Sequence, residues 1–223
     1  GIGVLVFLYA HSYMKSYEGT TKFFFYLLLF SGSMLGLVLS SNLIQLFIFW
    51  EFTTILSFFL ISFFHEKEES RKAAFQSLVI TFVGGLAMLA GILLLGSQVG
   101  SYELNDWIAG AGTIKQSKLY LPGLLLILGG VFTKSAQFPF HFWLPGAMQA
   151  PAPVSAYLHS ATMVKAGVFL LMRLSPVLGG TPEWTSIVPM IGVLTMLIGS
   201  YFAITQTDLK AILAYTTINA LGV

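Results

Sequence analysis

Long apolar runs, separated by short polar or charged stretches, recur along the 223 residues of this chain. A helix needs about 20 apolar residues to cross a hydrocarbon core of ~30 Å, and reading the runs at that length predicts a series of spans. One span covers about 1–12 and is followed by a polar loop, His11 to Lys22. Spans over about 23–41 and 43–64 are joined by a tight Ser40-Ser41-Asn42 turn. The stretch HEKEESRK, residues 65–72, is too charged for lipid and closes the third span. A fourth runs over about 74–96, with Ser77, Thr81, Gly84, Met88 and Gly91 recurring at helical spacing. Small residues on one face let a neighbouring helix approach closely. Residues 97–120 form the longest loop, expected outside the membrane. Further spans are expected over about 121–143, 150–173 and 188–206, and a last one begins near 209. The pattern predicts an all-α, polytopic transmembrane helix bundle of about seven to eight spans.

Composition agrees with this pattern. Hydrophobic residues make up 56% of the chain and charged residues only 9%, against roughly 25% charged in an ordinary soluble domain. The 20 Phe, 9 Tyr and 4 Trp suit lipid-facing surfaces and interfacial belts. With no Cys, thiolate metal sites, thiol nucleophiles and disulfides are excluded. A net charge of +2 gives no reason to expect nucleic acid as a partner. No flavin, iron–sulfur or nucleotide motif occurs, so no cofactor is expected on this chain. It begins at Gly1 rather than Met, within an apolar run, and stops at Val223 before the last helix is long enough to cross. It therefore reads as an internal piece of a longer protein.

Lys and Arg counted in alternate loops set an expected orientation. Loops 12–22, 65–73, 144–149 and 207–210 carry Lys15, Lys22, Lys67, Arg71, Lys72 and Lys210, against Lys115, Lys118 and Arg173 on the other side. The first set is assigned to the cytoplasm, which implies a multi-pass protein of the cell membrane.

The informative residues are the ionisable groups left inside the spans: Glu51, Lys134, His159 and Lys165, with His141 close behind. A Lys or acidic group at mid-membrane costs ~2.5–3.5 kcal/mol on insertion scales, so each requires a partner, a water cavity or a function. Glu51 shares a helical face with Thr54 and Phe58; it reads either as half of a structural ion pair or as an acid that biases a nearby lysine. Lys134 precedes Pro139, which removes a backbone donor and clashes four residues back. A helix broken by proline is therefore expected near 134–145, with Lys134 at the break or snorkelling beside a kink. His141, beside Trp143, reads equally as an interfacial hydrogen-bonder or a relay group. His159 and Lys165 are six residues apart, which on a regular helix separates them by ~240° around the axis; they face different neighbours, with Ser155, His159 and Thr162 forming one polar stripe. The histidines lack an i, i+4 pair and no Cys is available, so no metal site is expected. Asp208 and Lys210 stand near the start of the last helix, where Lys210 reads as a gate or as a snorkelling helix-end residue.

These residues resemble a known family. HFWLPGAMQAPAPVSAYLHSATMVKAG, residues 141–167, is similar to the signature of the antiporter-like membrane subunits shared by respiratory complex I and the Mrp-type multisubunit sodium/proton antiporters. FWEFTTILSFFLISFF (49–64) and KAAFQSLVITFVGGLAML (72–89) resemble the glutamate-helix region of that family, and TQTDLKAILAYTTINALG (205–222) resembles the opening of its second repeat. The resemblance implies two inverted five-helix repeats, each with a broken helix. On that pattern residues 1–22 end the preceding region, 23–173 form the first repeat, and 174–223 begin the second. It also implies that Glu51 is the acidic partner, Lys134 the broken-helix lysine, and His159 with Lys165 the relay of the next helix. His and Lys occurring together in HSATMVKAG resemble most the A-type component of the Mrp branch.

The resemblance implies a subunit that conducts protons for Na+/H+ antiport, working with other membrane subunits in a lipid bilayer: a secondary transporter rather than an enzyme. The alternative is a proton-translocating subunit of complex I, an NADH:quinone oxidoreductase, or of a related membrane-bound hydrogenase. At an effective dielectric near 20, a carboxylate ~7 Å from an ammonium contributes roughly 2.4 kcal/mol, enough for movement between Glu51 and Lys134 to act as a switch. A scaffold whose buried charges only lock helices, or an intramembrane enzyme, is a third class; the number of buried ionisable groups counts against it.

Overall fold

The computed structural model describes residues 2–223, with Ser160 described by its backbone alone; Gly1, at the start of the first expected span, lies outside them. Twelve α-helical segments follow in order: α1 (Ile2–Tyr13), α2 (Thr20–Leu39), α3 (Leu43–Ile61), α4 (Glu68–Val99), α5 (Leu104–Ala109), α6 (Ala111–Gln116), α7 (Tyr120–Lys134), α8 (Trp143–Ala147), α9 (Ala152–Val154), α10 (Lys165–Leu178), α11 (Pro182–Thr205) and α12 (Leu209–Gly222). A π-helical stretch, Ser155–Thr162, joins α9 to α10. No strand forms among the described residues.

Four helices are long and apolar enough to cross a membrane: Thr20–Leu39, Leu43–Phe64, Glu68–Val99 and Pro182–Thr205. This differs from the seven to eight expected spans for a local reason. The run expected over 121–143 stops being α-helical at Lys134, after 15 residues. The run expected over 150–173 is divided between the π stretch and α10. The HEKEESRK stretch is not wholly a loop, because α4 begins at Glu68. Acidic side chains in a first helical turn suit the positive end of the helix dipole, and Lys72 pairs with Glu68 one turn back at 2.7 Å. The expected 97–120 loop contains α5 and α6, because Trp107 and Ile114 are fully buried and fold it back onto the bundle.

Along the seam between α4 and α7 the two backbones approach closely. The expected stripe Ser77, Thr81, Gly84, Met88 and Gly91 is buried throughout. It meets a second pair of glycines with the same seven-residue spacing, Gly123 and Gly130, on the antiparallel α7. A Cβ on Gly91 would lie 2.8 Å from the Gly123 carbonyl oxygen, and one on Gly130 would lie 2.7 Å from that of Gly84. Contact at this range requires glycine at those positions. The α11–α12 pair repeats the device: a Cβ on Gly192 would lie 2.6 Å from the carbonyl oxygen of Gly222.

Two apolar clusters fill the bundle. One includes Leu46, Trp50, Met88, Ile92, Val131 and Leu170; the other includes Leu56, Leu60, Ala73, Ala136, Trp143 and Leu158. Along α3, α4 and α7 the buried residues that fall between the clusters are polar or glycine. They include Glu51, Thr54, Ser77, Thr81, Thr133 and Lys134, all buried. The fold thus holds a polar layer between two apolar plugs.

Gly91→Leu is expected to lower the thermal unfolding midpoint of the full-length protein in detergent, by the ~1–3 kcal/mol typical of overpacking. Gly32→Leu serves as the control and leaves the midpoint unchanged, because a Cβ there meets nothing within 4 Å.

Candidate functional site

Lys134 is the last residue of α7 and is fully buried. Its Nζ donates to the Trp50 carbonyl oxygen at 3.0 Å and to Thr54 Oγ1 at 2.7 Å, both on α3. It also lies 5.2 Å from the centre of the Trp50 ring. The negative end of the α7 dipole favours a cation at this position, and the Trp50 ring face adds a cation–π attraction. The ammonium makes no direct ion pair, since the one ion pair among the described residues is Lys72 with Glu68.

Glu51 follows Trp50 directly, and its buried carboxylate has no hydrogen-bond partner at either oxygen. It packs against Gly85 of α4, where an added Cβ would overlap Oε1. The neighbouring Gly84 makes room in the same way for Thr133, next to Lys134. The two adjacent glycines therefore hold open the space for Thr133 and Glu51. An acid and an ammonium thus occupy adjoining positions, one unpartnered and the other anchored to a carbonyl and a hydroxyl.

After α7 the chain turns through Ser135–Pro139, with a cis Phe138–Pro139 bond, into a short 3-10 segment and α8. One backbone N–H and two side chains of this turn bond to neighbouring elements. Phe138 N–H donates to Thr195 Oγ1 at 2.9 Å, Gln137 Nε2 donates to the Leu221 carbonyl at 2.7 Å, and Ser135 Oγ donates to the Val164 carbonyl at 2.7 Å. Irregular backbone at membrane depth needs such partners.

Trp143 connects this turn to the π stretch. Its Nε1 donates to the Thr133 carbonyl at 2.9 Å, and its ring meets His159 edge-on with centres 6.1 Å apart. His159 is fully buried with neither ring nitrogen hydrogen-bonded, and Ser155 Oγ is also unpartnered. The π-register is visible in the bonds from Met163 N–H to the Leu158 carbonyl and from Thr162 Oγ1 to the Tyr157 carbonyl. Single π-helical turns recur at functional positions.

The other expected residues lie apart from this centre. Lys165 is exposed, in a cavity of about 280 Å³ between α10 and Ser31, Met34 and Leu35 of α2. It faces away from His159, in keeping with their spacing. His141 is half-buried between the rings of Phe138 and Phe202, stacked at 6.1 and 6.2 Å, with Nδ1 unpartnered. Lys210 donates to the carbonyls of Met148 at 3.1 Å and Ala150 at 3.0 Å, while Asp208 caps α12 by accepting from Ala211 N–H. No cluster of metal-ligating side chains forms among the described residues. Two contributors were missed in the sequence: the carbonyl of Trp50, which no side-chain pattern announces, and Trp143, whose place in HFWLP gave no sign that it bridges Thr133 to His159.

A family model described as "NADH:quinone oxidoreductase/Mrp antiporter, TM" matches residues 40–223. The chain belongs to this antiporter family. Among similar members, a Rhizobium meliloti protein, named as the probable A/B component of a K(+)/H(+) antiporter, is 57% identical over 99% of this chain and 22% of its own length. The A component of the Na(+)/H(+) antiporter of Alkalihalophilus pseudofirmus is 51% identical over the whole chain and 28% of its own length. This antiporter-family chain thus spans about a quarter of the length of those relatives. The Mrp complex from Dietzia sp. DQ12-45-1b superimposes with a TM-score of 0.83 at 42% identity, over 88% of this chain and 22% of that one. An archaeal membrane-bound sulfane sulfur reductase shares the fold, with a TM-score of 0.82 at 24% identity over 93% of this chain and 43% of that one.

Thr54→Val keeps the shape but removes a partner of the buried ammonium. It is expected to destabilise the full-length protein by the ~1.5–3 kcal/mol of a hydrogen bond to a charged group. Adding Lys134→Met is expected to recover most of that loss, as a double-mutant thermal-unfolding cycle would measure.

Proposed function

We propose that this chain forms the proton-conducting core of a membrane subunit in a multisubunit cation/proton antiporter, exchanging sodium for protons. The observation that carries the reading is the placement of Glu51, without a hydrogen-bond partner in the polar layer, beside Lys134, which is anchored on Trp50 and Thr54, one and three residues from Glu51. The names of its relatives support the same class.

In this mechanism the Lys134 ammonium alternates between the Trp50–Thr54 anchor and the Glu51 carboxylate. Near Glu51 the ammonium is held by charge attraction; on the anchor it has only neutral partners. The proton passes through water along Trp143 to His159, and on to Lys165 and the second half of the subunit. Lys165 faces outward here, so its step requires a further part of the protein against α2 and α10. The turn after α7 is read as the proline-broken half of a membrane-crossing helix, whose remainder is the 140–147 segment. Residues 23–173 form the first repeat and 174–223 begin the second. His141 relays protons at the broken helix, and Lys210 gates approach from one end by holding the Met148 and Ala150 carbonyls.

The positively charged loops are read as cytoplasmic. In support, a cavity of about 710 Å³ is lined jointly by Tyr17, Lys67, Gln149 and Lys210, one from each of the four loops assigned there. Arg173, assigned to the other side, donates to the carbonyl of Val38 at the far end of α2.

Glu51→Ala and Lys134→Ala, each in the full-length protein within its assembled complex, are expected to abolish sodium-dependent proton movement in everted membrane vesicles. Unchanged transport by either variant in assembled complex would sink the reading. Gly85→Ala, which displaces the Glu51 carboxylate without removing it, is expected to cut the transport rate roughly tenfold, as a barrier change of ~1.4 kcal/mol would, with assembly intact on native gels.

A further inference from the structure

Where the start of α2 meets the end of α3, a cavity of about 690 Å³ opens at the end of the bundle that carries Lys15, Lys22 and Lys67. It lies outside the polar layer and takes no part in the proton route. Its inner wall is aromatic: Tyr26 stacks on Phe59 with ring centres 4.9 Å apart, and Phe63 and Phe64 meet edge-on at 5.4 Å. Its rim is charged in both signs, by Lys22 and Lys67 and by Glu18 and Glu66. None of these four forms an ion pair among the described residues, although both signs line one cavity; Lys67 instead rests over the Phe64 ring at 5.3 Å. From the Tyr26–Phe59 stack toward the middle of the bundle, Leu29, Ile55 and Phe52 remain exposed along α2 and α3.

An aromatic floor beneath a charged rim, at the end of two membrane-length helices, matches the boundary between headgroups and hydrocarbon. The charges left unpaired on the rim complement a ligand that carries both signs in its head and two hydrocarbon tails.

We propose that this cavity is a binding site for a zwitterionic glycerophospholipid with a primary-amine headgroup. Its phosphate sits between Lys22 and Lys67, its ammonium faces Glu18 and Glu66, and its acyl chains follow Tyr26, Leu29, Ile55 and Phe52 down the α2–α3 groove. Lysine ammonium groups bind phosphate as point charges, and the two carboxylates discriminate against headgroups that are only anionic.

The test uses the full-length protein in its purified complex, exchanged into nanodiscs of equal phosphatidylethanolamine and phosphatidylglycerol and read by native mass spectrometry. Phosphatidylethanolamine is expected to be retained at least fivefold over phosphatidylglycerol. Lys22→Ala with Lys67→Ala is expected to lower that retained lipid at least fivefold, and Glu18→Gln with Glu66→Gln to remove the preference. Equal retention of both lipids by the wild type, or retention unaffected by the lysine pair, would overturn the proposal. Because these variants could alter assembly, the wild-type complex is also labelled with phosphatidylethanolamine carrying a diazirine in its acyl chain. Adducts are expected on peptides containing residues 26–29 and 52–59, and their absence overturns the site.

Discussion

The constraint on which the rest of this structure depends is the burial of one ammonium group in an apolar helix bundle. Lys134 cannot reach water from the end of α7, so neighbouring elements must supply its partners inside the bundle. The Trp50 carbonyl and the Thr54 hydroxyl supply them, and that requires α3 and α7 to keep a fixed relative height. Glycines at the α4–α7 seam allow the necessary approach. Small residues serve two purposes here: Gly91 and Gly123 let backbones meet, whereas Gly84 and Gly85 leave room for Thr133 and Glu51.

The polar layer is costly in itself, and the apolar clusters on either side make it tenable. They isolate Glu51, Thr54, Ser77 and Lys134 from both ends of the bundle, so charge interactions within the layer act at a lower effective dielectric than water provides. In the proposed mechanism, that isolation makes a small shift of the ammonium between a carbonyl and a carboxylate energetically significant. Among the described residues, the buried polar atoms without partners are on Trp50, Glu51, Ser77, Ser155 and His159, in and beside the layer, and on His141, apart from it. Buried polar groups are satisfied as a rule, so those left without partners call for an explanation beyond packing.

Trp143 gives the layer its lateral reach. Bonded to the Thr133 carbonyl and set edge-on to His159, it ties the turn after α7 to the π stretch. That stretch lets one segment bury His159 while its continuation leaves Lys165 outside.

Hydrophobic run length alone located α2, α3 and α4, because each is a nearly uninterrupted apolar stretch of about membrane length, and helical spacing alone identified the small-residue stripe on α4. Glu51, Lys134 and His159 were also legible, since ionisable groups within such runs are conspicuous. The partners of those groups were not legible: a backbone carbonyl such as that of Trp50 has no signature in a sequence, and which carbonyl points at an ammonium depends on the relative height of two helices. The same holds for the folded-back α5–α6 segment and for the divided runs after Lys134 and around His159. Their local composition reads as loop or as continuous span, and only packing against Trp107, Trp143 and Thr195 set their shape. Local periodicity thus determined which segments are helical and which face is small. Tertiary contact decided where the helices stop and what each buried charge touches, because satisfying a polar group in a dry interior is a property of neighbours distant in the chain.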